Sequence, residues 1–232
     1  MTTLVFLHEG LGSAELWRDA PARLAAATGC ETFVYSRYGN GRADVLREAR
    51  PVSYMHDEAD VLERLLQERG IDDAILIGHS DGASIALIHC GKYGRRVRAA
   101  VVLAPHLFVE EHSLRGIRNA RTLYEETDLR ERLARYHADP DATFYGWNRI
   151  WLDPAFASWN IREYTARIGV PVFAIQGAAD EYGTFAQIAA LAHDVRAPLD
   201  VLHLDGCGHN PLRDRPDASG AIAQYINGLV RV

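Results

Sequence analysis

With 232 residues, 48% of them hydrophobic and 24% charged, the chain has the length for one domain with a full core and an ordinary globular composition. A net charge of −6 offers no electrostatic case for nucleic acid or an anionic membrane surface, and no apolar run approaches a bilayer span. Three cysteines without a Cys-x-x-Cys spacing argue against a disulfide framework or a zinc site; with no basic segment before the first apolar run, a cytoplasmic location is expected.

Leu4–Leu7 is a continuous apolar run, as expected of a parallel strand buried on both faces. His8-Glu9-Gly10-Leu11-Gly12 follows, and Ser13 is placed to cap a helix carrying Leu16, Trp17, Leu24 and Ala25 as far as Gly29. Thr32–Tyr35 reads as a second strand, and residues 37–42 as a loop punctuated by Gly39 and Gly41. From Tyr54 to Gly70 the spacing of Met55, Ala59, Leu62, Leu65 and Leu66 predicts an amphipathic helix. Ala74–Ile77 is the third strand, an apolar helical run follows Gly82, and Arg98–Leu103 is the fourth strand, ending at Ala104-Pro105-His106.

The alternation then stops. Residues 106–168 hold no good strand and are rich in charges and aromatics at helical spacing. It resumes with a strand at Val170–Ile175, a helix near Thr184–His193, a strand at Leu199–Leu204 and a helix near Asp217–Leu229. The expected fold class is α/β, a doubly wound and mostly parallel sheet of about six strands with right-handed crossovers. Its core comprises residues 1–105 and 169–232, with a helical cap inserted at 106–168 after the fourth strand.

Gly78-His79-Ser80-Asp81-Gly82 is a Gly-x-Ser-x-Gly sequence between a predicted strand and a predicted helix. So tight a turn drives the central serine out at the tip of the sheet, above the N–H groups that open the helix. A serine needs a base and an orienting acid to act as a nucleophile, and in such sheets reactive groups gather beyond the carboxyl ends of the strands. His209, in the loop Asp205–Pro211 after the last strand, meets that condition; His203 lies within the strand and reads as packed, and His106 is the reserve. For the acid, Asp180 follows the fifth strand, with Glu181 its neighbouring rival. The order Ser80, Asp180, His209 is that of the hydrolase elbow arrangement. Gly10 and Gly12 lack the third glycine of a dinucleotide turn, and no phosphate-loop or metal-ligand spacing occurs, so neither cofactor nor metal is expected.

These motifs resemble the α/β-hydrolase superfamily over essentially the whole chain, and in particular its lidded serine esterases and carbon–carbon hydrolases. Gly78–Gly82 matches the nucleophile elbow, Gly177–Asp180 the acid turn and Gly208–Pro211 the histidine loop. The chain departs in starting at what resembles the family's third strand, and in having His8-Glu9-Gly10-Leu11-Gly12 where those members carry His-Gly-x-x-Gly. The resemblance implies an oxyanion hole from the backbone N–H groups of Gly10 and Asp81, and hydrolysis of a carboxylic ester. Thioester hydrolysis, cleavage of a vinylogous diketone and a ligand receptor on the same fold are the alternatives. A serine at the elbow argues against the aspartate chemistry of the dehalogenase and epoxide-hydrolase members.

A Glu9 carboxylate facing the hole would oppose a developing anion, so it is expected to turn away, and the Asp81 side chain is expected at the start of its own helix. Phe144, Trp147 and Trp151 share a helix face and, with His106, are the candidate walls of an apolar pocket over Ser80. The cap arginines alternate with acids and read as solvated. A small-molecule substrate with a small-to-medium, largely apolar or aromatic acyl group is therefore expected. Without a leading hairpin, Thr32–Tyr35 should be a sheet edge, covered by a helix, a loop or a second copy in a homodimer.

Overall fold

The computed structural model describes residues 1–230. Strands β1 (Thr3–Leu7), β2 (Glu31–Val34), β3 (Ala74–His79), β4 (Val97–Leu103), β5 (Val172–Gly177) and β6 (Leu199–Leu204) form one sheet, all parallel, in the order β2-β1-β3-β4-β5-β6. Strands β1, β3 and β5 are buried along their whole length, which explains the apolar runs Leu4–Leu7, Ala74–Ile77 and Val172–Ile175 within them. Strand β2 lies at an edge, as its polar start at Glu31 and Thr32 suits. From β1 the chain runs outward to β2, then returns past β1 to β3 and proceeds the other way. The reversal leaves a crevice beyond the carboxyl ends of β1 and β3, where α/β sheets bind ligands.

Helices cover both faces. On one side, α1 (Ala20–Thr28) and α10 (Ala218–Val230) pack Leu24, Ile222 and Ile226 against Phe6, Ile75 and Val101. On the other lie α2 (Tyr54–Glu68), α3 (Asp81–Lys92) and α8 (Phe185–Asp194). The α2 stripe Met55, Ala59, Leu62 and Leu66 is buried, each leucine contributing about 1.5–3 kcal/mol. Helix α3 is buried from Asp81 through Cys90, and apart from Asp81 and His89 that stretch is apolar or small all round.

Between β4 and β5 lie α4 (Glu111–Glu126), α5 (Leu129–Ala134), α6 (Pro140–Leu152) and α7 (Arg162–Thr165). Helix α6 starts where the Asp139 carboxylate accepts the Ala142 N–H at 2.8 Å, with Pro140 in the first turn. No helix among the described residues is long and apolar enough to cross a membrane.

The helix expected from Ser13 to Gly29 is broken. A single 3-10 turn spans Ala14–Trp17, Arg18 sits at φ 52°, and α1 begins only at Ala20. Pro21 lacks the N–H that a helix continuing from Trp17 would use at that position. Ser13 makes no side-chain capping bond. His203 is likewise not packed: it is exposed on edge strand β6, its ring 4.5 Å from that of Phe185.

Candidate active site

Ser80 occupies the turn from β3 into α3 with φ 53° and ψ −119°, a backbone a non-glycine residue adopts only under constraint. The constraint is packing. A Cβ on Gly78 would run into the Gly82 carbonyl, and one on Gly82 into the Leu7 carbonyl of β1. Only glycines at both places let α3 sit this close to the sheet.

His209 Nε2 lies 2.9 Å from Ser80 Oγ, and its Nδ1 lies 2.8 and 2.9 Å from the two oxygens of Asp180. Three loops, after β3, β5 and β6, thus bring together the serine, the acid and the histidine singled out in the sequence. Asp180 is buried and well supplied with donors: the N–H groups of Tyr182 and Gly183 at 2.7 and 3.1 Å, and Gln176 Nε2 at 2.7 Å. Burial raises its carboxyl pKa, but the His209 hydrogen bond and charge and the Tyr182 N–H outweigh it and hold it at about 2. Among the described residues the Glu181 carboxylate accepts one hydrogen bond, from the His209 main-chain N–H at 3.1 Å.

Above Ser80 is a small cavity of about 110 Å3, lined by Gly10, Asp81, His106, Ile117, Trp147, Trp151 and Tyr182 together with Glu9, Leu11 and His209. Gly10 and Asp81 face it across the crevice because Leu7 pairs with Gly78. Neither their N–H groups nor any side chain near them closes a hydrogen bond at those two nitrogens among the described residues. The Gly10 peptide is fixed by Asn40 Nδ2, which donates to its carbonyl at 2.9 Å and to that of Gly12 at 3.1 Å. The buried Arg37 guanidinium donates to the carbonyls of His8 and Glu9. A Cβ on Gly10 would strike the Trp147 indole, so the glycine is a matter of space.

The Glu9 carboxylate forms an ion pair with His79 Nδ1 at 3.4 Å, while Glu9 still contributes to the cavity wall. Burial raises Glu9, yet the His79 contact prevails and holds it at about 2. Burial alone would lower His79; Glu9 raises it above the ordinary imidazole value.

Two expectations need correction. Phe144 does not line the cavity: it is fully buried and stacked on Tyr124, ring centroids 3.8 Å apart, and so ties α6 to α4. A helix face spans more than the cavity is wide, and Phe144 falls beyond its rim whereas Trp147 and Trp151 do not. The Asp81 side chain makes no bond to its own helix; its Oδ2 accepts from Tyr54 Oη at 2.8 Å, and that oxygen accepts from Trp151 Nε1 at 3.1 Å. Tyr54, the first residue of α2, supplies the donor that the helix start was expected to provide. His106, the reserve histidine, is a wall: its Nε2 donates to the Tyr182 carbonyl at 3.1 Å, and burial and the nearby His209 keep it below the usual imidazole pKa.

A sequence profile described as the alpha/beta hydrolase family matches residues 4–219. The chain belongs to that family. Among curated relatives, the hydrolase is 29% identical over 158 residues to a bifunctional esterase/perhydrolase DCH of Acinetobacter calcoaceticus, covering 63% of this chain and 54% of that protein. It is 29% identical over 99 residues to a proline iminopeptidase of Saccharolobus solfataricus, covering 43% and 32%. The matched stretches thus span about half and about a third of those relatives. Among solved structures, esterase RhEst1 from Rhodococcus sp. ECU1013 superimposes with a TM-score of 0.75 at 19% identity, over 98% of this chain and 91% of that one. An esterase (EaEST) from Exiguobacterium antarcticum gives 0.77 at 14% identity, over 97% and 92%. At such identities the structural likeness speaks to the fold.

Proposed function

We propose that this alpha/beta hydrolase is a cofactor-independent serine hydrolase acting on a carboxylic ester with a short, largely apolar acyl group. The observation that carries the reading is the continuous run from Asp180 through His209 to Ser80 Oγ, every step at 2.8–2.9 Å, beneath an apolar cavity. His209 takes the Ser80 proton as Oγ bonds to the carbonyl carbon; Asp180 orients the ring and stabilises its positive form. Gly10 and Asp81, whose N–H groups are uncommitted among the described residues, line the cavity that would hold the oxyanion, each such donor being worth about 3–4 kcal/mol in the transition state. The adduct collapses with the His209 proton going to the leaving oxygen, and water activated by His209 then releases the acid. The esterase among the curated relatives supports this choice of bond.

Labelling by a fluorophosphonate, blocked by Ser80→Ala, followed by turnover of a panel of acyl esters, thioesters and diketones, tests the reading. Labelling at Ser80 with ester turnover is expected. A protein that binds such ligands without labelling or turnover would be a receptor, and the reading would fall.

A further inference from the structure

A second cleft, of about 550 Å3, shares the walls Glu9 and Leu11 with the 110 Å3 cavity over Ser80. Its lining includes four arginines from four parts of the chain: Arg18 after the 3-10 turn, Arg23 on α1, Arg132 on α5, and Arg213 on the short helix α9 (Pro211–Asp214). Only two carboxylates line it, Glu9 and Asp19. Glu9 is held by His79, and Asp19 by Arg23 at 3.1 Å. Arg213 bonds Asp214, and Arg132 has only a loose contact with Asp128 at 3.5 Å. Arg18 enters none of the ion pairs of the described residues. The cleft thus gathers four guanidinium groups against two lining carboxylates, leaves Arg18 without a carboxylate partner among the described residues, and abuts the cavity over Ser80 at Glu9 and Leu11. No sequence pattern announced it, because its arginines are brought together only by the fold.

Its position assigns it a role. His79, Asn210, Leu212 and Arg213 line it, so it runs along the chain just beyond His209. The far wall of the small cavity comes instead from α4 and α6, through Ile117, Trp147 and Trp151. A leaving group must receive its proton from the histidine, so it departs on the His209 side. Arg18 has φ 52° and ψ −123°, nearly the backbone of Ser80, in a conformation that glycine takes without strain. The chain nevertheless carries an arginine there.

Resting on the Ser80–His209–Asp180 part of the reading above, with the scissile bond an ester or a thioester, we propose that this cleft binds the leaving group of the substrate, and that the leaving group is a phosphate-bearing alcohol or thiol. The acyl group occupies the small cavity, and its anionic carrier lies among Arg18, Arg23, Arg132 and Arg213. When the tetrahedral adduct collapses, the carbon–sulfur or carbon–oxygen bond breaks and His209 returns to the departing atom the proton it took from Ser80. Water then cleaves the acyl–Ser80 bond. The cleft is of the size that holds large ligands, about 300–1,000 Å3.

Two substrate pairs with one acyl group test this: butyryl-CoA against butyryl-pantetheine, and 1-butyrylglycerol 3-phosphate against monobutyrin. In one pair the phosphorylated member is expected to have a kcat/KM about tenfold higher or more, the gap narrowing in about 0.5 M NaCl as screening sets in. Which pair responds identifies the carrier as thiol or alcohol. Arg18→Gly, which eases the backbone, and Arg132→Ala, on an exposed helix, should each reduce that preference about fivefold, mainly through KM. Equal kcat/KM within both pairs, or a preference untouched by either variant, would overturn the proposal. Failure of the underlying reading looks different: 4-nitrophenyl butyrate would not turn over and Ser80 would not label.

Discussion

His79, the residue before Ser80, donates from Nε2 to the main-chain carbonyl of His209 over 2.7 Å. The turn that carries the serine thus also holds the loop that carries the histidine, while Asp180 holds the same histidine by its ring. A bond to a carbonyl requires a proton on Nε2, so Nδ1 can donate to Glu9 only when His79 is charged. That charge is what the Glu9 carboxylate, 3.4 Å away, favours.

The Glu9–His79 pair should therefore be visible as a pH-dependent stability. His79 has a raised pKa, so its contribution is complete below the ordinary imidazole value and is lost as pH rises through the raised one. Glu9 is depressed to about 2, so its contribution is present above the ordinary carboxylate range and is lost as pH falls toward that value. Glu9→Gln should cost about 1 kcal/mol near pH 6, the low end for such a pair because Glu9 is 27% exposed. The deficit should shrink at alkaline pH. Melting curves between about pH 5 and pH 9 check this; a deficit independent of pH would mean that Glu9 acts only by shape.

Ser80→Ala and His209→Ala should each lower kcat by about three orders of magnitude or more, because the residues act as a unit. Asp180→Asn should be comparably severe, since the ring would lose the partner that fixes its tautomer. Glu181→Gln should cost far less: its carboxylate meets only the His209 N–H. Melting temperatures of all four should stay close to wild type apart from Asp180→Asn, whose carboxylate accepts bonds from Tyr182, Gly183 and Gln176. A near-native rate for Asp180→Asn would remove the acid from the assignment.

The sheet and the serine, acid and histidine were legible because each is local. An apolar run ending in Gly78, a serine between glycines and a histidine loop bounded by Gly208 and Pro211 carry their geometry in the chain itself. The residues around them were not. Asn40, Gln176, Tyr54 and His79 act through side chains that reach across 4 to 130 positions, and nothing in their neighbours distinguishes them from packed polar residues. Phe144 was indistinguishable from Trp147 by helical spacing, since the cavity rim is set by how α6 lies on the core. The break at Arg18 escaped because the apolar spacing across it continues unbroken while the backbone does not.

Tyr54→Phe should be costly for a substitution that keeps its ring. The hydroxyl bonds both the Asp81 carboxylate and the Trp151 indole, linking α2, the elbow and α6. Burial and the Asp81 charge hold the tyrosine pKa well above its ordinary value, so the group stays protonated and able to donate. Asp81 Oδ1 already has no partner among the described residues. Removing the hydroxyl strands its other oxygen and the Trp151 N–H, at about 1–3 kcal/mol for each buried group. Urea unfolding should show a loss of about 2 kcal/mol or more, and kcat should fall with it as the Asp81 peptide loosens. Unchanged stability would show that water replaces the hydroxyl.

Acyl preference should follow the two tryptophans. A cavity of about 110 Å3 is well below the roughly 300 Å3 at which drug-sized ligands are held, so it suits a short chain or a small ring. Trp147 is pressed against Gly10, and Trp151 is pinned by Tyr54, so neither indole can swing aside cheaply. Trp147→Ala should open the cavity toward α6, raise KM for a butyryl ester and shift the preference toward longer acyl chains, with fluorophosphonate labelling of Ser80 largely kept. Trp151→Ala should do the same and also lose stability, because the Tyr54 link goes with it. On the wild type, tributyrin should be a substrate and an emulsified long-chain triglyceride a very poor one, as a chain that cannot enter cannot reach the serine. Equal rates on the two, with neither tryptophan change altering chain-length preference, would mean that the acyl group binds elsewhere.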